Sequence, residues 1–379
     1  MDKLKFLLFL LLQIRFIAAY LETPKDWIPP NAVDRATWDC ESREWYKETL
    51  TRDEQRERNA IFQEWLNNFQ NDCSRSVFYD KTIPGAAGIG SSLNGAVVNF
   101  GRSLQMNQIY KPKGNWIWAG NSTRCGGATS LDCFFKDFST CDVTKKDGVN
   151  GQLPKEFNPV ATDVCTISAT ARMPVIWLFG QLLTYITRLD EVMEFQVNSF
   201  IESLYKENGL SKDMLYLSAH IRRGTPDGNR RHVPLEDYFN LLNSQVSLSL
   251  DTSTPISFIY ASGDNIYETL PVSFNYSNLV KVIRPKFTVT KEKESEWAVR
   301  ANKDLAETLV IEFLVDIKMY MNSFSFIGVH SNVWAVVYPL RLSNGLHSSC
   351  MFDTHKNPFL YLCNYCDRNF WYPAFRLSC

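Results

Sequence analysis

Short apolar runs alternate with amphipathic segments over much of the chain. From Ser211 onward the runs have the length of buried strands, and apolar positions recur at helical spacing between them. The predicted elements, in chain order, are strand 214–219, helix 234–248, strand 256–261, helix 264–270, strand 279–283, helix 298–322, strand 324–329 and helix 331–340. Such alternation is typical of a parallel sheet with helices on both faces.

The pattern before Ser211 is less regular. Between Glu41 and Asn71, apolar residues recur at helical spacing, and Thr51 with Glu54 forms a capping-box pattern, which predicts a pair of helices. We expect these helices to pack against the first domain, and a homodimer formed through them is the alternative. The remaining predictions are a helix over 91–108, a strand at 115–118, a loop-rich insertion at 121–159 and a long helix over 177–208 with Gly209 at its C-cap.

The first twenty residues have the features of a secretory leader. Lys3 and Lys5 precede an unbroken apolar run at 6–12, and Ala18-Ala19 supplies small residues for cleavage. The run is too short to span a bilayer comfortably. We therefore predict a signal peptide over 1–19, with a short type II membrane anchor as the alternative.

The cysteines support the same compartment. Ten cysteines in a chain with a leader favour disulfides in an oxidising lumen, and their pairing cannot be deduced from spacing. A zinc site at Cys363-x-x-Cys366 is the weaker alternative, because Cys350 and Cys379 flank it at unsuitable spacing. Asn121 and Asn275 each begin an N-glycosylation sequon.

Composition narrows the class of protein further. The chain has 379 residues, of which 45% are hydrophobic, so it is long enough for two folded domains after the leader. Its formal net charge of -1 gives no reason to expect a polyanionic partner, and nucleic acid binding is disfavoured.

The stretch from His220 to Asp227 carries the strongest chemical signal. It reads His-Ile-Arg-Arg-Gly-Thr-Pro-Asp and follows the predicted strand 214–219 directly. The planar guanidinium of arginine matches a phosphate group with two hydrogen bonds. Since only one of two adjacent strand residues points to a given face, we assign Arg222 to an anionic ligand and Arg223 to a carboxylate or the loop. The alternative is a surface pair in ordinary ion pairs.

This stretch, with Glu236-Asp237-Tyr238 after it, resembles the donor-site signature of the α-1,6-fucosyltransferases, and it is also similar to the bacterial nodulation fucosyltransferases. The resemblance covers roughly Gly85 to Leu340. Its further motifs are Gly88-Ile89-Gly90, Ile259-Tyr260-Ala261-Ser262-Gly263-Asp264, Leu314-Val315-Asp316-Ile317, and Phe326 through Val333. Each motif is weak alone, and their order makes them jointly specific.

The resemblance implies an α/β fold of two facing Rossmann-like domains, the GT-B type of glycosyltransferase, with N-terminal helices and a Cys-rich C-terminal tail. The corresponding boundaries are 1–19 for the leader, 20–80 for the helical segment, 81–209 for the acceptor-side domain with its Cys-rich insertion, 210–345 for the GDP-sugar domain and 346–379 for the tail. The implied reaction is an inverting, metal-independent transfer of L-fucose from GDP-fucose to a glycan or glycoprotein hydroxyl. α-1,6 transfer to an N-glycan core or to chitin-like GlcNAc, in the Golgi or by a secreted enzyme, is the expected case, and no cofactor is expected.

The resemblance also implies roles for individual residues. Arg222 would stabilise the departing diphosphate, aided by an anion nest at Ser331 and Asn332. Asp316 would accept from the guanine amino and ring N–H groups. His220 would contact the nucleotide or serve as a core histidine. Ser331 is also predicted to be a plain N-cap, which is compatible with the anion role.

The chain departs from the family pattern where the catalytic base is expected. Pro226 and Arg230 replace the family's lysine and glutamate, and Gly263 replaces the first residue of an aspartate pair. We nominate Asp227 as the base, with a turn-shaping role as the alternative. Asp264 would orient the acceptor or the loop, or cap the following helix. These losses leave two other functions open, a catalytically silent glycan-binding protein and a transferase that uses another nucleotide sugar.

Overall fold

A computed structural model of the chain describes part of its length. The described residues are 52–80, 88–113, 116–119, 123–125, 131–141, 175–222, 233–235, 237–238, 240–242, 246, 256–263, 281–287, 302–329, 331–344, 346, 349–352 and 361–363. The predicted signal peptide, the asparagines of both sequons, the predicted helix 264–270 and Cys366 lie outside them. The predicted domain boundaries stay predictions.

The larger sheet is built from six of the described strands. Strands are numbered in chain order, and the first two belong to the smaller sheet described below. The six strands of the larger sheet are β3 (Tyr216–Ile221), β4 (Phe258–Gly263), β5 (Lys281–Ile283), β6 (Ser325–Val329), β7 (Ser349–Phe352) and β8 (Tyr361–Cys363). Their spatial order is β5-β4-β3-β6-β7-β8, and only β8 runs antiparallel to its neighbour. The chain therefore steps outward from β3 to β5 and then returns to the other side of β3. This is the strand order of a dinucleotide-binding sheet, with its switch point between β3 and β6.

Both faces of this sheet are buried. Tyr216, Phe258 and Phe326 point into the large core, while Leu217 and Ile327 belong to a second cluster on the opposite face. Alternation of side chains along the strands produces this division. The helical residues Leu235, Tyr238, Leu241 and Leu242 belong to the second cluster, with Val246 packed against it. Helices described below cover the first face. The predicted parallel sheet with helices on both faces is confirmed.

The smaller sheet has two parallel strands, β1 (Val77–Asp80) and β2 (Ile109–Pro112), joined through helix α2 (Ile89–Gln105). Helix α1 (Arg52–Gln70) precedes β1 and confirms a helix in the predicted pair. The predicted strand at 115–118 is wrong, because 117–119 form a 3-10 turn. That segment is apolar because Trp116 and Trp118 are fully buried, not because it pairs with another strand.

Helix α2 ends earlier than the predicted 91–108. Its last helical residue is Gln105, and Asn107 adopts a positive φ of 56°. Asparagine tolerates this left-handed conformation better than most residues. The chain can therefore turn at Asn107 and begin β2 two residues later.

The single helix predicted over 177–208 is in fact two helices, α3 (Val175–Ile186) and α4 (Glu191–Asn208). The break lies at Asp190, whose side chain accepts a 2.9 Å hydrogen bond from the backbone N–H of Met193 and pairs with Arg124. Within one continuous helix, the backbone N–H of Met193 would bond to a backbone carbonyl. At the start of a new helix it has no such partner, and the N-cap aspartate accepts from it instead. The predicted C-cap is confirmed, since Gly209 has a φ of 66° in the left-handed region.

Two further helices flank β6. Helix α5 (Ala306–Asn322) begins later than the predicted 298–322, after a short 3-10 turn at Lys303–Leu305 that Asn302 caps. Helix α6 (Asn332–Ser343) lies close to the prediction of 331–340. Within the described residues, no helix is long and apolar enough to cross a membrane.

The helices of the smaller sheet pack directly on α6. A Cβ added to Gly180 of α3 would overlap the carbonyl oxygen of Pro339, and one added to Gly90 of α2 would lie 3.0 Å from the carbonyl oxygen of Asn332. Glycine at both positions permits this close approach of helix backbones. One continuous apolar core therefore includes residues of α2, α3 and α6.

Two disulfides are present in the described part of the chain. They join Cys73 to Cys141 and Cys125 to Cys133. The expectation of disulfides is thus confirmed for four of the ten cysteines. Cys350 and Cys363 are register partners in the antiparallel pair of β7 and β8.

Candidate functional site

The candidate site lies at the carboxyl edge of the larger sheet, beside its switch point. Strand β3 ends in His220 and Ile221, and Arg222 follows directly. Strand β6 ends at Val329, and Ser331 follows after one residue. Because parallel strands end at the same edge, the switch point brings together segments that are about 110 residues apart in sequence.

Ser331 forms the N-cap of α6. Its backbone is extended, and its Oγ accepts a 3.3 Å hydrogen bond from the backbone N–H of Trp334. The predicted N-cap is confirmed, and Asn332 is the exposed first residue of the helix. The positive end of the α6 dipole therefore lies at the switch point, where it favours an anion.

The N-terminus of α2 meets the N-terminus of α6. Gly90 approaches the backbone of Asn332, and the side-chain amide of Asn94 donates a 3.3 Å hydrogen bond to the Asn332 carbonyl. Gly88 caps α2 without a side-chain hydrogen bond. The Gly-x-Gly motif thus contains the start of α2, two residues before the predicted helix, and it brings a second positive dipole end close to the first.

Arg222 leaves the sheet over Tyr238. Its backbone N–H donates a 3.4 Å hydrogen bond to the hydroxyl oxygen of Tyr238, which is itself fully buried. The Glu-Asp-Tyr motif is therefore in contact with the basic motif. Arg223, Asp227 and Asp264 lie outside the described residues, and their predicted roles stay predictions.

A buried polar network lies next to these strand ends. Asp316 on α5 accepts hydrogen bonds from the hydroxyl of Tyr260 at 2.6 Å and from the hydroxyl of Ser262 at 2.5 Å. Ser262 Oγ also lies 2.6 Å from the hydroxyl oxygen of Tyr320, which lies 3.3 Å from Nδ1 of His220. The predicted guanine contact of Asp316 is untested, and its carboxylate has lone pairs for further donors.

Sequence reasoning missed Tyr260, Ser262 and Tyr320. A signal for them is present, because Tyr260 and Ser262 are two apart on one strand and Asp316 and Tyr320 are four apart on one helix. Each pair therefore shares a face of its element. Polar groups on faces that are otherwise apolar indicate a buried network, since such groups require partners.

Burial sets the ionisation of this network. The pKa of Asp316 is raised to about 7: desolvation is the main cause and the charge of Glu312 adds to it, while hydrogen bonds from Ser262, Tyr260 and Tyr320 oppose the rise. Desolvation and the charge of Arg222 lower the pKa of His220 to about 3. The site therefore contains a neutral imidazole beside an acid that titrates near neutrality.

The raised pKa of Asp316 predicts a pH-dependent stability. Since the pKa is higher in the folded chain than the ordinary 3.8, folding favours the neutral acid. This stabilisation is complete below about pH 4 and is lost as the pH rises through about 7. Between pH 4 and pH 8, the wild type should lose about 2–3 kcal/mol more than Asp316→Asn in chemical denaturation, less than the full shift implies because Asp316 stays partly exposed. Parallel pH profiles for the two proteins would contradict the assignment.

Gly263 explains one departure from the family pattern. Its φ is +122°, and a Cβ added there would overlap the carbonyl oxygen of Ile221, its register partner in β3. Residues with a side chain rarely adopt this conformation. With this backbone, no aspartate fits at position 263.

Comparison with known proteins gives a limited result. No family model matches the chain, and no curated protein sequence matches it. Solved structures do match, among them a crystal structure described as NodZ alpha-1,6-fucosyltransferase soaked with GDP-fucose. That match has 11% sequence identity and a TM-score of 0.41, and it covers 76% of this chain and 98% of the other. A likeness at this level assigns neither family membership nor activity.

Proposed function

We propose that this protein is an inverting fucosyltransferase that uses GDP-fucose and acts on a hydroxyl of a glycan. One observation carries the proposal: the switch point of a dinucleotide-type strand order has Arg222 on one side and the N-terminus of α6 on the other. Motifs that resemble the α-1,6-fucosyltransferases supply both sides. Such a crevice is where open α/β sheets bind nucleotides.

The proposed reaction is a single displacement at the anomeric carbon of fucose. The acceptor oxygen forms a bond to this carbon while the bond to the diphosphate oxygen breaks, and the acceptor proton passes to a base. Arg222 and the α6 N-terminus stabilise the negative charge that develops on the diphosphate of GDP, so the proposal requires no metal ion. Asp227 is our candidate for the base, and Asp316 for the guanine contact.

The acceptor and compartment belong to the same proposal. We infer an N-glycan core or a chitin-like GlcNAc as acceptor, with α-1,6 linkage, and a location in the Golgi or outside the cell. The disulfides between Cys73 and Cys141 and between Cys125 and Cys133 agree with an oxidising lumen.

A catalytically silent glycan-binding protein is the second candidate. The backbone at Gly263 favours it, because no side chain fits where the family has an aspartate. Pro226 and Arg230 replace two further family residues on the preceding loop. The anion-binding end of the candidate site argues for the transferase instead, since a protein that binds only neutral glycans has no use for Arg222 beside a helix N-terminus.

Calorimetric titration with GDP tests the nucleotide site. Wild type should bind GDP, and Arg222→Ala should bind it about 10- to 150-fold more weakly, because a charge-assisted hydrogen bond contributes about 1.5–3 kcal/mol. Arg102→Ala is the matched control, since Arg102 is exposed on α2 and donates to Asn99 of the same helix. Titration with UDP in place of GDP tests whether the site prefers guanine as the nucleobase.

Release of GDP from GDP-fucose in the presence of a mixed glycan pool then separates the two candidates. Binding followed by release establishes a transferase, and loss of release with a chelator would contradict the metal-independent reaction. Binding without release supports the silent protein. Absence of GDP binding by the wild type would overturn the proposal.

A further inference from the structure

The hydrogen bonds around Asp316 form an unbroken chain that reaches His220. Its links are Asp316 Oδ2 to Ser262 Oγ at 2.5 Å, Ser262 Oγ to the Tyr320 hydroxyl at 2.6 Å, and the Tyr320 hydroxyl to His220 Nδ1 at 3.3 Å. The chain crosses from α5 to β4, back to α5 and on to β3. Ser262 and Tyr320 are almost fully buried, so the protein rather than solvent determines how these groups pair.

Counting protons gives the chain a direction. A serine hydroxyl has one proton, and Ser262 donates it to the Asp316 carboxylate. Ser262 Oγ must then accept from Tyr320. A hydrogen bond from Tyr320 also contributes to the pKa of Asp316, so the tyrosine proton points toward Ser262 or Asp316 in either arrangement. The Tyr320 oxygen is left as an acceptor, and His220 Nδ1 has to be the donor.

We propose that Ser262 and Tyr320 are positioning residues that hold neutral His220 in the tautomer protonated at Nδ1. Nε2 then presents a lone pair and accepts a hydrogen bond from an N–H or O–H group of the ligand. An unprotonated nitrogen repels phosphate oxygens, so His220 contacts the base or the ribose of the nucleotide while Arg222 contacts the diphosphate. The tautomer is independent of the proposed function, and only the identity of the ligand group rests on it.

The charge of Asp316 controls this arrangement. The described ionisable groups around the chain are Arg222 beyond β3, Tyr260 on β4, and Glu312 and Tyr320 on α5. Among the described groups, the carboxylate of Asp316 sets the direction of the hydrogen-bond chain, because it accepts a hydrogen bond from the Ser262 hydroxyl. Protonating Asp316 removes that orientation, and His220 is no longer confined to one tautomer.

Nitrogen-15 NMR of the full chain with labelled histidine tests the proposal. Protonated and unprotonated ring nitrogens have well-separated shifts, and the chain has five histidines, so His220→Gln suffices to assign the signal. At pH 9 we expect His220 to be neutral with the proton on Nδ1. Lowering the pH to 5 should reduce the Nδ1–H population while the ring stays neutral. A wild-type ring protonated at Nε2 at pH 9 would overturn the proposal.

Variants distinguish the effect of the hydrogen-bond chain on the His220 tautomer from the effect of general packing. Tyr320→Phe should lose the Nδ1–H preference, and Ser262→Ala should weaken it, because Tyr320 then donates to Asp316 alone. Tyr216→Phe should keep it, because that buried hydroxyl donates to the Met319 carbonyl and lies outside the chain. If Tyr320→Phe keeps the Nδ1–H tautomer, the positioning role is wrong. If the tautomer changes as expected and GDP does not bind the wild type, the chain is real and the proposed nucleotide function fails.

Discussion

Replacement of Arg341 with methionine should lower the free energy of unfolding by about 3–5 kcal/mol. Arg341 is fully buried in the last turn of α6, and its side chain binds the C-terminal end of α5. Its guanidinium donates to the carbonyl oxygens of Tyr320 at 2.5 Å, Ser323 at 2.9 Å and Phe324 at 3.2 Å. The variant leaves these buried acceptors unsatisfied and removes a cation from the negative end of the α5 dipole.

Arg102→Met is the matched control for this variant. Arg102 lies in the last turn of α2, as Arg341 does in α6, but it is exposed. Its replacement should change stability by less than about 0.5 kcal/mol. Chemical denaturation of the disulfide-bonded protein measures both. A loss at Arg341 within about 1 kcal/mol of that at Arg102 would show that the buried carbonyls find other partners.

Gly263→Ala should cost about 3 kcal/mol or more, and Gly263→Asp at least as much. The backbone is left-handed at this position, and the new Cβ overlaps the carbonyl oxygen of Ile221. Strands β3 and β4 would have to separate where His220 and Ser262 are register partners. Restoring the aspartate of the family pattern should therefore damage the site rather than improve it.

Gly209→Ala separates the two causes of this cost. Gly209 also has a positive φ, of 66°, but a Cβ added there meets nothing within 4 Å. Its replacement should cost about 1 kcal/mol, from backbone strain alone. Denaturation midpoints and GDP titration distinguish the variants, since only those at position 263 should also weaken GDP binding. Equal costs at the two positions would show that β3 and β4 yield without strain.

The sequence predicts four of the six described strands of the larger sheet, because β3, β4 and β6 are buried along almost their whole length. It misses β7 and β8, which lie in the stretch predicted as a Cys-rich tail. The predicted strands 214–219 and 256–261 are found two residues later, at 216–221 and 258–263. The shift has a physical cause. Apolar character marks burial, and Met214 and Leu215 are apolar without pairing in β3, whereas the polar His220 and Ser262 belong to their strands. His220 and Ser262 of the polar network thus lie within the strands, whereas Arg222 follows β3.

The smaller sheet is predicted poorly for the opposite reason. Strand β1 is the four-residue run Val-Phe-Tyr-Asp, and β2 contains Lys111 and Pro112, so neither has the pattern of a buried strand. The two strands depend on pairing with each other, although α2 separates them in sequence. Such pairing is set by tertiary packing, which outweighs local preference in short strands.

The candidate site is predicted only in part. Motif resemblance places Arg222, Asp316 and Ser331 near one another in advance, because each lies at a known point of an alternating fold. The partners of Asp316 depend on distances between α5 and β4, which no local pattern contains. Only the assembled structure shows that Tyr260, Ser262 and Tyr320 surround this carboxyl.

The contact of Gly180 with Pro339 has a mechanical consequence. Helices α3 and α6 approach to backbone contact there, and α6 begins at the switch point. Because no side chain separates the two helices there, a hinge between them would have to pull apart a backbone contact rather than slide side chains past one another. If the crevice opens to admit a ligand, we expect α3 to move together with α6.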